Sequence, residues 1–252
     1  MLETYSYGTD TSLPPIVIAH GLFGSARNWN VIAKRLSDTR RVVSVDMRNH
    51  GASPWFDTHS YPDMAQDLAE VIRSIGGVAD VIGHSMGGKA AMVLAMSQGD
   101  LVRRLLVADI APVAYTHSQQ SMITAMRSID LSRVSTRGDA DRQLANVLEE
   151  ASVRAFLLQS LDVKAQVWRL NLDVLEREMS LIVGFPADQA RFEGSTLFLA
   201  GAMSDYVRPE DRAIIKSHFP NARQAKIPQA GHWLHAEKPR EFEAAARMFL
   251  DT

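Results

Sequence analysis

The chain has 252 residues, 46% of them hydrophobic and 22% charged, with a formal net charge of −2. That is enough apolar material for a well-buried core, in one α/β domain with an insertion or in two domains, and the scattered Lys and Arg leave no nucleic-acid footprint. With no cysteine, disulfides, thiolate catalysis and cysteine-based zinc sites are excluded; the opening MLETYSYGTD lacks the basic-then-apolar order of a signal peptide, and no apolar run reaches the roughly 18 residues of a membrane span, so a cytoplasmic protein is expected.

Residues 2–7 alternate in polarity and predict a strand. A short apolar strand follows over 16–19, ending at His20. Residues 26–36 predict a helix, with Trp29, Ile32, Ala33 and Leu36 at helical spacing. The β-branched run 41–45 is a strand ending at Asp46, and the loop 47–54 turns on Gly51. Residues 61–75 form an amphipathic helix through Met64, Ala65, Leu68, Val71, Ile72 and Ile75. A strand over 79–83, a helix over 86–96 and a strand over 104–108, ending at Asp109, complete the alternation. Strands alternating with helices imply right-handed crossovers and a mostly parallel sheet.

The alternation then stops. Residues 112–186 contain helix-like stretches and no convincing strand, with apolar surface from Met122, Met126, Phe156, Leu157, Leu158, Val167, Trp168, Leu170 and Leu172. The β-pattern resumes at 196–200, followed by a helix near 209–217, a short strand near 223–227 and a last helix over 239–250. The expected organisation is a core of residues 1–111 and 187–252 with a helical cap, 112–186, inserted between them. Such a cap leaves and rejoins the sheet at the carboxyl ends of its strands, where ligands bind in open α/β sheets.

Three segments carry chemistry. Gly83-His84-Ser85-Met86-Gly87 is a G-x-S-x-G pattern between a strand and a helix. The turn is so tight that the central serine takes a strained backbone conformation and stands clear as a nucleophile. The helix N-terminus behind it carries partial positive charge suited to an oxyanion. His20-Gly21-Leu22-Phe23-Gly24 follows the second strand, and Ala230-Gly231-His232-Trp233 precedes the last helix.

With these segments the chain resembles the α/β-hydrolase superfamily over almost its whole length. Within it the chain is similar to the small bacterial esterases that hydrolyse acyl esters and thioesters. The matching runs are HGLFGS from His20, DMRNHGASP from Asp46, GHSMGGKAAM from Gly83, DIAPV from Asp109, WRLNLD from Trp168 and GHWLHAEKP from Gly231. The resemblance implies a mostly parallel sheet flanked by helices, the cap inserted after the sixth strand of the family's sheet, and serine hydrolysis without cofactor or metal.

Ser85 is the expected nucleophile, and a serine hydroxyl needs a base within hydrogen-bond reach. His232 comes last in the Ser…Asp…His order of this fold and fits that role. His59, His117 and His218 read as ordinary hydrogen-bonded residues, His84 as structural and pointing away from the pocket, and His235 as three residues too late. Two acids compete for the third place. In many relatives the acid follows the seventh strand, and here that slot falls on Ser204, with Asp205 one place late. The other acid position of the fold is the end of the sixth strand, where Asp109 stands. Asp109 is favoured, with Asp205 as the alternative. The oxyanion hole is expected from the backbone N–H groups of Leu22 and Met86. Phe23, Met86 and Trp233 are candidates for an apolar pocket, and Asp46, Arg48, Asn49 and His50 for fixing their own loop.

The expected activity is hydrolysis of a carboxylic ester or acyl thioester of short to medium chain through an acyl-enzyme. The partner is a small molecule, with no nucleic acid, no membrane span and no signal for an oligomeric state. Hydrolysis of C–C bonds or lactones, a haloperoxidase-like side activity, and a non-catalytic ligand-binding receptor are alternatives on the same residues.

Overall fold

The computed structural model describes residues 1–116, 118–186 and 190–251; His117 and the expected domain boundary at 187 lie outside them. Seven strands form one sheet: β1 (Thr4–Tyr7), β2 (Ile16–Ala19), β3 (Val42–Val45), β4 (Ala79–His84), β5 (Val102–Ala108), β8 (Ser195–Gly201) and β9 (Ala222–Ile227). Their order is β1-β3-β2-β4-β5-β8-β9. β1 runs antiparallel to β3 and every other pairing is parallel. The strand that the resemblance numbers sixth is β5 here.

Both faces of the sheet are buried, because alternate residues of each strand face opposite sides. On one side Val17, Ala19, Val43, Val45, Val81, Leu105 and Val107 pack with α2 (Tyr61–Ser74) and α3 (Met86–Ser97). On the other, Ile16, Ile18, Val42, Ile82, Leu106 and Leu199 pack with α1 (Asn30–Leu36) and α11 (Pro239–Leu250). Helix α2 starts where Ser60 Oγ accepts the Asp63 N–H at 3.2 Å and Pro62 stands in the first turn, a start that suits both a cap and a missing donor. Residues 26–29, expected as helix, form a separate 3-10 turn before α1.

Among the described residues, five α-helices lie between β5 and β8: α4 (Gln120–Arg127), α5 (Arg137–Leu144), α6 (Ala151–Leu157), α7 (Leu172–Arg177) and α8 (Met179–Val183). A two-stranded antiparallel hairpin of β6 (Leu161–Asp162) and β7 (Val167–Trp168) sits among them. The hairpin corrects the expectation of no strand in 112–186; each strand is two residues long, too short for an alternating pattern. The segment shares the core of α2 and α3 through Ile123, Met126, Leu157, Leu161, Leu175 and Ile182. It is also stitched to the loops below it. Ser160 Oγ donates to the Phe23 carbonyl at 2.7 Å, Tyr61 Oη to Ile182 O at 2.5 Å, and the Gly51 N–H to Arg169 O at 2.8 Å. The remaining helices are α9 (Arg212–His218) and the short α10 (Leu234–Glu237). Among the described residues, no helix is long and apolar enough to cross a membrane.

Candidate active site

Ser85 stands between β4 and α3 with φ 51° and ψ −119°, a conformation that L-residues adopt only under constraint. The constraint is close packing. A Cβ on Gly83 would lie 2.4 Å from the Gly87 carbonyl oxygen, and one on Gly87 would lie 2.5 Å from that of Ala19. Both neighbours are backbone atoms, one in α3 and one at the end of β2, and neither can move without disrupting its element, so both positions must be glycine.

Asp109 stands at the matching corner of the next strand, directly after β5, also at φ 51°. Parallel strands of matched register thus bring two strained corners side by side at the carboxyl edge of the sheet. His232 reaches the same edge from the loop after β9. Its Nδ1–H donates to Asp109 Oδ2 at 2.7 Å, and its Nε2 accepts from Ser85 Oγ at 3.1 Å. Because a carboxylate only accepts, the Nδ1 proton is fixed there and Nε2 is left as the basic nitrogen.

Asp109 is wholly buried and receives two further hydrogen bonds, from the Gly201 N–H at 2.8 Å and from Ser204 Oγ at 2.5 Å. Asp205 is exposed, and the carboxylate beside the imidazole is that of Asp109. The residue in the seventh-strand acid slot therefore meets the acid by another route: Ser204 donates to it. A hydroxyl in that slot, with an Asp at the end of the neighbouring strand, was the available sequence signal. The ring of Tyr206 stacks on His232 at 4.0 Å and 21°, and its part in holding the imidazole was not legible from the motif.

His84 corrects an expectation. It lines the site rather than pointing away, and its Nε2–H donates to the carbonyl oxygen of His232 at 2.9 Å. Burial, then the nearby His232 and His235, hold its pKa well below the ordinary value, so it serves as a neutral strut for the loop. His235 is also buried, flat against Trp29 at 4.0 Å; burial, followed by His232, lowers its pKa to about 3.

The loop of residues 20–24 is held by neutral imidazoles. Met47 N–H donates to His20 Nε2 at 2.9 Å while His20 Nδ1–H donates to the Gly21 carbonyl at 2.8 Å. Phe23 N–H donates to His50 Nε2 at 3.1 Å while His50 Nδ1–H donates to Arg48 O at 2.8 Å. Burial lowers the pKa of His20 to about 4 and, with the neighbouring His20, that of His50 to about 3. Asp46 accepts from the N–H groups of Ala26 and Ala52, both at 2.8 Å, and Arg48 forms a buried two-pronged pair with Asp67 at 2.6 and 3.0 Å. Asn49 donates to Thr58 O at 3.1 Å and accepts from Phe56 N–H at 2.7 Å. His59, also buried, donates from Nε2 to the Met86 sulfur at 3.2 Å, and His218 bonds Ala190 O at 2.9 Å.

These struts bring the loop against Ser85: a Cβ on Gly21 would lie 3.2 Å from Ser85 Cβ. Leu22 is next in the chain, and Met86 supplies the first N–H of α3, which has no partner within its own helix. A cavity of about 280 Å³ opens over Ser85. Leu22, Phe23, Met86 and Trp233 border it from the core, and Met122, Val153, Phe156, Leu157 and Ile182 from the 112–186 segment. Lys89 lines it too, although 1% exposed, and burial lowers its pKa to about 7. Among the described residues, no group of three or more His, Asp or Glu is arranged to hold a metal ion.

Comparison with known proteins gives a consistent picture. The profile of a family described as the alpha/beta hydrolase family matches residues 16–245. The chain is 43% identical to the sn-1-specific diacylglycerol lipase ABHD11 of Mus musculus, over 96% of this chain and 82% of that one. It is 40% identical to the esterase YbfF of Escherichia coli K12, over 94% and 93% of the two chains. Among solved structures it is similar to a marine microorganism esterase, with a TM-score of 0.93 and 39% identity over 99% of this chain and 100% of that one.

Proposed function

The chain belongs to the alpha/beta hydrolase family, and from that premise we propose that it hydrolyses carboxylic esters through an acyl-enzyme on Ser85. The observation that carries this reading is the hydrogen-bonded run Ser85 Oγ, His232 and Asp109, at 3.1 and 2.7 Å.

Ser85 Oγ attacks the ester carbonyl carbon as its proton passes to His232 Nε2. The carbonyl electron pair moves onto oxygen, which rests against the N–H groups of Leu22 and Met86. Asp109 stabilises the imidazolium and holds its orientation. His232 then protonates the leaving oxygen, the ester C–O bond breaks, and the alcohol departs. Water next gives a proton to Nε2 and attacks the acyl carbon; Ser85 recovers its proton as the carboxylic acid leaves. A thioester follows the same course with a thiol as leaving group.

The 112–186 segment acts as the cap, since its apolar side chains border the cavity over Ser85. At about 280 Å³, that space is at the small end of ligand sites, roughly 300–1,000 Å³, which suits a short to medium acyl chain. The test is labelling by a fluorophosphonate probe. Rapid labelling, abolished in Ser85→Ala together with a fall in kcat on the order of 10⁶-fold, is the expected result. A well-folded protein that stays unlabelled overturns the reading and favours a binding protein.

A further inference from the structure

Lys89 sits one helical turn beyond Ser85 on α3, its N–H bonded to the Ser85 carbonyl at 3.0 Å. Residues four apart share a helix face, and both side chains border the same cavity. The ammonium donates to the carbonyls of Val183 at 3.0 Å and Gly184 at 2.5 Å, at the end of α8. It also lies 4.7 Å from the ring centre of Tyr115 and 5.7 Å from that of Tyr61. Among the described residues it is paired with no carboxylate; burial alone accounts for its shifted pKa.

Buried cations are ordinarily matched by an anion. If Lys89 served only to fasten α8 to the core, nothing would require it to border the cavity over Ser85. An ammonium has three donors; two are directed at carbonyls, which leaves one for whatever occupies the space over Ser85. Resting on the ester-hydrolase reading above, we propose that Lys89 is a specificity-determining residue whose ammonium receives a carboxylate at the far end of the acyl group. The favoured substrates are then monoesters or thioesters of short dicarboxylic acids. Four residues of helix rise about 6 Å, so the acyl chain between the reacting carbonyl and the carboxylate is a few carbons long.

The test compares monoethyl glutarate with ethyl hexanoate, which lacks the carboxylate, by acid release in a pH-stat. The wild-type kcat/KM is expected to favour the glutarate ester. In Lys89→Met the ratio of the two kcat/KM values falls by about 10- to 100-fold, the worth of a charge-assisted hydrogen bond. A wild-type ratio at or below one overturns the proposal, as does a ratio unchanged in Lys89→Met, which would leave Lys89 a mere fastening. If Lys89→Met does not fold, the wild-type ratio decides, together with competitive inhibition of ethyl hexanoate hydrolysis by glutarate rather than by hexanoate. If neither ester turns over and Ser85 resists fluorophosphonate, the ester-hydrolase reading has failed instead. The ammonium is then tested by calorimetric binding of glutarate, expected in the wild type and lost in Lys89→Met; no binding to the wild type overturns the proposal.

Discussion

Two carboxylates, Asp80 and Asp109, are both wholly buried and lie on adjacent strands, yet their surroundings are opposite. Asp80 begins β4 at the amino edge of the sheet, where Arg40 donates to it at 2.7 Å and Arg103 at 2.8 Å. Two guanidinium groups cancel its charge, and Arg40 and Arg103 also hold the Leu250 carbonyl at the end of α11. Asp109, at the carboxyl edge, has an imidazole N–H, a backbone N–H and a hydroxyl. None of these brings a full positive charge while the imidazole is neutral. The first carboxylate is already matched by fixed cations; the second can be matched only when a proton arrives on His232. One end of the sheet uses its buried charge for cohesion, and the other, on the proposed mechanism, keeps it in reserve for chemistry.

Substitution separates the two roles. Asp109→Asn is expected to reduce kcat by about 10⁴-fold through loss of the correct imidazole tautomer, with little change in the thermal midpoint; esterase kinetics beside a melting curve check it. Asp80→Asn should do the reverse. Removing one member of a buried ion pair costs about 3–5 kcal/mol, seen in urea unfolding, while kcat per fluorophosphonate-titrated site stays within about twofold.

Acid should weaken the carboxyl edge first. His20, His50 and His235 are held to about 4, 3 and 3, while the unfolded chain protonates its histidines near 6.5. The unfolded state therefore binds more protons between those limits, so stability rises with pH across that window and is lost as pH falls through it. From pH 6.5 to 5.5 the expected loss is about 1 kcal/mol for each histidine, measured by denaturant titration at the two pH values; a flat profile would mean that these imidazoles titrate normally.

Ser204→Ala removes one hydrogen bond to a carboxylate, worth about 1.5–3 kcal/mol. Turnover should drop about tenfold or more, with the acid limb of its pH profile moved, because that limb reports the imidazole that Asp109 holds. Asp205→Asn is expected to change neither turnover nor stability measurably. If Asp205→Asn reduces turnover as Asp109→Asn was meant to, the contrast between the two edges collapses.

How legible the site was in the sequence follows from the range of the interactions. Ser85 is defined by its immediate neighbours, Gly83 and Gly87, and that crowding leaves a mark within five residues. The strands β2 to β5 are likewise local, being short runs rich in Val, Ile, Leu and Ala. Asp109 was harder, because its partner is 123 residues away and only the pairing of β5 with β8 decides which acid meets the imidazole. Ser204 and Tyr206 act through that same long-range contact. Lys89 gains its setting only when α8, Tyr61 and Tyr115 close around it. The signal was that α3 offers no polar face for it: apart from Lys89, residues 86–96 are Gly, Ala, Met, Val and Leu. The hairpin of β6 and β7 left no trace because two residues carry no period.

The paired corners at Ser85 and Asp109 have an evolutionary consequence. A left-handed backbone is cheap for glycine and costly for any residue with a side chain, by about 1–3 kcal/mol at each such place. Ser85 and Asp109, which the proposed reaction uses, are thus among the positions at which the chain would gain heat tolerance by giving up the side chain. Selection for durability alone would erase this protein's livelihood at those corners, so a lineage that keeps a serine and an aspartate there bears witness to continued use.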